Sequence, residues 1–170
     1  MAQYADRPTG ITLVDPTNPP SSRAPLVWAL VGAVPWLVLA VVQLGWATTD
    51  QRLPWLHVAA LAVTAAGLLV STVVAPLWRY RVHRWDISDT AVYTRTGWLV
   101  QERRIAPISR VQTVDTYRGP LDRLLGLANV RVTTASSAGA VHIVALDAPV
   151  ADRVVAHLTD IAALGSDDAT

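Results

Sequence analysis

The sequence predicts a two-helix transmembrane hairpin joined to a mainly β domain that one C-terminal α-helix caps. Three observations carry this. The chain of 170 residues is 52% hydrophobic, and the excess is concentrated between Leu26 and Trp78. After Trp78 the pattern changes to short runs of alternating apolar and polar residues, the period of half-buried strands. Near the end the period changes again: Val150, Val154, Val155, Leu158, Ile161 and Ala162 fall at helical spacing and form one apolar stripe.

The first span reads LVWALVGAVPWLVLAVVQLGW, Leu26 to Trp46, without a charge. At about 1.5 Å per residue it covers roughly 31 Å, the thickness of a hydrocarbon core. The second reads WLHVAALAVTAAGLLVSTVVAPLW, Trp55 to Trp78, also uncharged. Pro35 and Gly67 are tolerable inside such helices. Trp46, Trp55 and Trp78 stand at segment ends, where an indole prefers the membrane interface. ATTDQRLP between the spans is a tight polar turn, so the helices should run antiparallel. The first segment is too long and starts too late for a signal peptide, and it lacks a small-x-small cleavage site. Arg7 and Arg23 precede the first span, Arg79, Arg81 and Arg84 follow the second, and Arg52 stands in the loop with Asp50. Basic flanks face the cytoplasm, so a multi-pass protein of the cell membrane with both termini cytoplasmic is expected. Gln43, His57, Thr64 and Ser71 are among the polar residues within the spans, suited to bonds between helices or, for His57, to interfacial water. With no Asp, Glu, Lys or Arg inside either span, a transporter is disfavoured. The expected division is a disordered tail over 1–25, spans over 26–46 and 55–78, a domain over 79–165 and a polar tail over 166–170.

In the second half, RYRVHRWDI reads as a strand leaving the membrane directly, with Arg79, Arg81 and His83 on one of its faces. ISDT turns the chain, AVYTRT is a second strand, and WLVQERRI pairs with it across Gly97. Pro107 breaks the pattern before RVQTVDTY. PLDRLLGL then interrupts the alternation with one turn of helix. Pro120 starts it, Leu121, Leu124 and Leu125 are expected in the core, Asp122 and Arg123 outside, and Gly126 reverses the chain. NVRVTT and VHIVAL form a last hairpin across ASSAGA. Asp147 can cap the final helix, Pro149 suits its first turn and Gly165 can end it. A small sheet with open edges needs a cover, and this helix has the stripe to provide one.

WLVQERRIAPISRVQTVDTYRGPLDRLLGLANVRVTTAS resembles the bacterial pleckstrin-homology-like (PH-like) domain of the YdbS type. The matching features are Gly97, Arg104-Ile105-x-Pro107, then Ile108 with Arg110-Val111-Gln112-x-Val114. Pro120-Leu121-x-Arg123-Leu124-Leu125-Gly126-Leu127-Ala128 completes the motif, whose role is mainly structural. The resemblance covers roughly Arg79 to Leu164, and the two spans fit the family's layout. It implies a PH-like split barrel of two small antiparallel sheets with a capping helix. It also implies that PLDRLLGL carries the chain from one sheet to the other.

Nothing in the sequence points to catalysis, and no enzyme activity or cofactor is expected. There is no cysteine, and His57, His83, His142 and His157 share no metal-ligand spacing. A net charge of +1 gives no field for nucleic acid. All 14 basic residues are Arg, a bias that a GC-rich genome explains. PH domains that bind phosphoinositides carry basic residues near the first strand-pair loop; here that loop is ISDT, so no such specificity follows. The remaining basic candidates for contact with lipid headgroups are Arg79, Arg81, Arg84, Arg103 and Arg104, each able to add about 1 kcal/mol near an anionic leaflet. The expected function is a membrane-anchored interaction or scaffold module. Its expected partners are membrane lipids and another membrane protein or a second copy of the chain. Alternatives are an anionic-lipid-responsive module and an accessory subunit of a membrane enzyme or transporter.

Overall fold

The computed structural model describes residues 15–50, 52–97, 100–135 and 139–167, with side chains as far as Ile161. Two helices come first: α1 (Ala24–Thr49) and α2 (Pro54–Val82), both long and apolar enough to cross a membrane. Their apolar side chains, Val34, Val38, Val41, Val58 and Val63 among them, face outward, unlike those of a soluble core helix. The helices approach closely because Gly67 leaves room for the ring of Trp36; a Cβ there would lie 2.2 Å from the indole. Thr64 donates to Gln43 Oε1 at 2.9 Å, a bond between the helices. His57 serves the loop: its Nε2 donates to the Asp50 carbonyl at 2.7 Å, with Trp46 edge-on against the ring.

Within α2, Val70–Val74 form a π turn just before Pro76. Proline has no N–H to donate and its ring crowds the carbonyl one turn back; a wider turn relieves both. Ser71 Oγ donates to the Gly67 carbonyl and Thr72 Oγ1 to that of Leu68, supporting the backbone there.

The expected strand from Arg79 is instead the end of α2, which continues to Val82. Arg79, Arg81 and His83 therefore do not share a strand face. The strand fails there because β1 (Arg84–Ile87) is only four residues long and pairs with β2 (Ala91–Gly97) no earlier than Arg84.

Two three-stranded antiparallel sheets follow. The first has the order β1-β2-β3, with β3 spanning Gln101–Pro107. The second has β4 (Val111–Tyr117), β5 (Leu127–Thr134) and β6 (Val141–Asp147) in that order. This is the split barrel that the family resemblance implied. The crossing between sheets, however, is the short 3-10 turn Ile108–Arg110 after Pro107. PLDRLLGL, as α3 (Pro120–Leu125), joins β4 to β5 within one sheet. Trp98 and Leu99 of the expected β3 run, and 136–138 of the ASSAGA link, lie outside the described residues.

The core lies between the sheets and under α4 (Ala148–Asp167). Val92, Val130, Val132, Ile143 and Leu146 come from the strands, and α4 adds Ala151, Val154 and Leu158. Trp85 and Ile87 of β1 and Val111 and Val114 of β4 close on the same helix stripe. α4 thus plugs the gap where the sheets part. It continues past Gly165 to Asp167, beyond the expected stop.

Within the tail expected to be disordered, the described residues from Asp15 onward pack against the barrel. Asn18 pairs with Trp85 as an isolated antiparallel bridge, covering the outer edge of β1. Thr17 and Asn18 side chains donate to Asp86, and Trp85 Nε1 donates to the Pro19 carbonyl at 3.1 Å.

Leu124, expected in the core, is 79% exposed, whereas Leu158 is fully buried. Leu158→Ala should destabilise the detergent-solubilised protein by about 2–5 kcal/mol in thermal or denaturant unfolding. Leu124→Ala should cost about 1 kcal/mol or less.

Candidate functional site

The most elaborately built region is the joint between α1 and the barrel. Ala24 and Val27, in the first turn of α1, are buried with Leu127 and Ala145. Trp28, Leu121 and Leu125 pack around them. This is what PLDRLLGL does: three of its leucines, Leu121, Leu125 and Leu127, form a socket for the start of a membrane helix. Leu124 shares a helix face with Leu121 by its i+3 spacing but lies beyond the socket's edge and stays 79% exposed. Gly126 ends α3 in the left-handed conformation at φ 69°, which lets the chain turn at once into β5.

A hydrogen-bonded chain locks the socket. Ser21 N–H donates to the Ala145 carbonyl at 2.8 Å, and Ser21 Oγ donates to Asp147 at 2.7 Å. Ala145 itself has a positive φ of 55°, at a register shift between β5 and β6. Its N–H donates to buried Asn129 Oδ1 at 2.8 Å. Asn129 Nδ2 donates to Asp122 Oδ2 at 2.9 Å, which also accepts the Gly119 N–H at 2.9 Å. Asp122, expected outside, is therefore half-buried and holds the N-terminus of α3. Arg23 Nη1 donates to the Leu125 carbonyl at 3.0 Å, tying the two helix ends together.

The end of α2 is held just as fully. The Arg79 carbonyl accepts both the backbone N–H and Nδ1–H of His83, each at 2.8 Å. Arg84 Nη1 donates to the Tyr80 and His83 carbonyls, and Arg95 Nε to that of Val82. Of the last four carbonyls of the helix, those of Arg79, Tyr80 and Val82 thereby gain partners. Trp28 of α1 lies between the two partners: the Arg79 guanidinium is 4.5 Å from its ring centroid and the His83 ring 5.3 Å away. Burial pushes the His83 pKa below the ordinary histidine value; the bond to the Arg79 carbonyl pulls it up, and the Arg79 charge lowers it again.

Of the five arginines singled out in the sequence, Arg79 and Arg84 are built into this joint. Arg81 is exposed beside it. Arg103 stands opposite Arg95, which stands opposite Arg84, so three arginines line one face of the sheet at its membrane end. Asp15 offsets this row, 3.2 Å from Arg103 and 3.9 Å from Arg95. Arg104 lies on the other face, paired with Glu102 at 2.7 Å and donating to the Ala140 carbonyl at 3.2 Å.

Beside Arg104 is an open cleft of about 580 Å³ between β3 and the β5–β6 hairpin. Its wall is the run Glu102 to Pro107, with Arg110, Thr134, Gly139 and Val141 opposite. β3 is an edge strand, so its outer backbone groups border the cleft.

Sequence reasoning missed Trp28, Arg95, Asp15, Ser21 and Asn129. Only Asn129 left a signal: a polar residue opening a strand of otherwise apolar inward positions. Replacing it with Ala strands the Ala145 N–H and one Asp122 bond. Asn129→Ala should lower stability by about 2–4 kcal/mol, read as a lower unfolding midpoint of the full chain in detergent.

Three comparisons bear on this architecture. The family model described as "Bacterial PH domain" matches residues 22–162, so it includes the apolar helices as well as the barrel. The UPF0699 transmembrane protein YdbS of Bacillus subtilis (strain 168) is 34% identical over 115 residues, covering 67% of this chain and 70% of that protein. No solved structure matches. A match extending from the socketed start of α1 to the plug helix, with a relative named as a transmembrane protein, establishes that the chain belongs to the bacterial PH domain family, as a YdbS-like membrane protein.

Proposed function

We propose that this protein is a non-enzymatic interaction module, anchored by two membrane-crossing helices, with both termini and the barrel in the cytoplasm. The basic flanks on the barrel side of the helices support that orientation. The single observation that carries the reading is the cleft along β3. It follows an unpaired strand edge, the geometry that accepts an extended peptide by strand addition. Among the described lining residues Arg103, Arg104 and Arg110 stand against one acid, Glu102, so an acidic segment fits best. The partner is a protein of the same membrane or a second copy of the chain, because the helices confine encounters to that plane.

A second reading has its own support. The row Arg84, Arg95 and Arg103, offset only by Asp15 among the described acids near it, suits an anionic leaflet. On that reading the unfolding midpoint in nanodiscs rises with the anionic lipid fraction. On the cleft reading it does not.

The cleft is tested by placing a photo-crosslinking residue at Ile105, which is 38% exposed in β3, and at Thr116 in β4 as a control. In cells, Ile105 should yield a defined adduct that Thr116 does not. Arg103→Glu with Arg110→Glu should reduce it at least about tenfold, the effect of losing about 1.4 kcal/mol. Equal background from both positions contradicts the proposal.

A further inference from the structure

We infer that α3 is itself an interfacial element: it lies in the headgroup region of the bilayer, with Leu124 immersed. The inference rests on α1 crossing the membrane and is independent of the β3 cleft.

Depth comes first. Val27 is the second residue of the uncharged run that starts at Leu26, and it is buried in the cluster to which Leu121 and Leu125 belong. On the same turn of α1, Leu26 is 50% exposed and Leu30 44%, so that turn presents leucine to the surroundings while it contacts α3. Hence α3 lies within about one helical turn, roughly 5.4 Å, of the depth at which α1 becomes wholly apolar. Arg23 fixes the same level from the other side, through its 3.0 Å bond to the Leu125 carbonyl.

Composition follows. Leu124 is 79% exposed, at the edge of the α3 face that carries the socketed leucines. Around it in sequence are exposed Arg123, Arg118 and Tyr117, the last 47% exposed. An outward leucine with flanking arginines and a tyrosine is the make-up of a segment resting at a membrane surface. The apolar side chain enters the acyl boundary while guanidinium and phenol groups stay at headgroup level. Arg23 and Arg123 both suit phosphate-bearing lipids in that position. The occupant of this face is therefore the bilayer that the helices cross, and the barrel rests on it beside its own anchor.

The chain has no cysteine, so the full-length protein can carry one spin label at a time. Leu124→Cys is compared in nanodiscs with Val38→Cys, exposed midway along α1, and Asp89→Cys, exposed in the far β1–β2 turn. Accessibility to oxygen and to a water-soluble nickel complex gives label depth. The expected result puts the Leu124 label between the other two, with nickel accessibility at least about threefold below that at Asp89. A Leu124 label as open to nickel as that at Asp89, with Val38 immersed, overturns the inference. A Val38 label open to nickel overturns the membrane-crossing reading beneath it.

Discussion

Ala24 is fully buried at the point where the arm lying along the barrel passes into an apolar helix, and the architecture turns on what buries it. The first turn of α1 is seated against Leu121, Leu125, Leu127 and Ala145, so the helix begins inside the domain's own packing. Polar backbone groups at a helix start must find partners: the Arg23 N–H donates to Ser21 Oγ and the Ala24 N–H to the Ser21 carbonyl, while Ser21 is itself tied to Ala145 and Asp147. At α2 the match is made by His83, Arg84 and Arg95. Both connections between helices and barrel are thereby fixed, and no free linker separates them.

That constraint explains details that otherwise look arbitrary. Ala145 holds a backbone conformation that costs an alanine about 1 kcal/mol or more, since its carbonyl must meet Ser21 and its N–H Asn129. Residues Asp15 to Pro20 pass along β1 before entering α1, covering that edge on the way. The edges without a strand or bridge partner among the described residues are those of β3, β4 and β6, and the first borders the arginine-lined cleft.

Much of this was legible in the residues. The apolar runs located both helices to within a few positions, because twenty uncharged residues leave few other solutions. Alternation located the six strands, and the stripe from Val150 to Ile161 identified the plug. What stayed hidden depends on contacts distant in sequence. The arm from Asp15 shows no period of its own and is held by Trp85 and Asp86, some seventy residues away, and by Arg95 and Arg103 beyond them. Arg79 to Val82 alternate well enough for a strand, but capping by Arg84 and Arg95 favours helix. Leu124 shares a helix face with Leu121 and Leu125, so its spacing could not tell that the socket stops short of it. The arginines scattered between 79 and 104 gave no hint that three of them would align across β1, β2 and β3.

The central claim is that helices and barrel move as one body. Paired spin labels at Thr49, at the far end of α1, and Asp89, at the far end of the barrel, measure it directly in the otherwise cysteine-free chain. The seated joint predicts one narrow distance distribution, the same in detergent and in nanodiscs. A broad or multiple distribution in the nanodisc would mean that the barrel swings on a loose tether, and would contradict the claim.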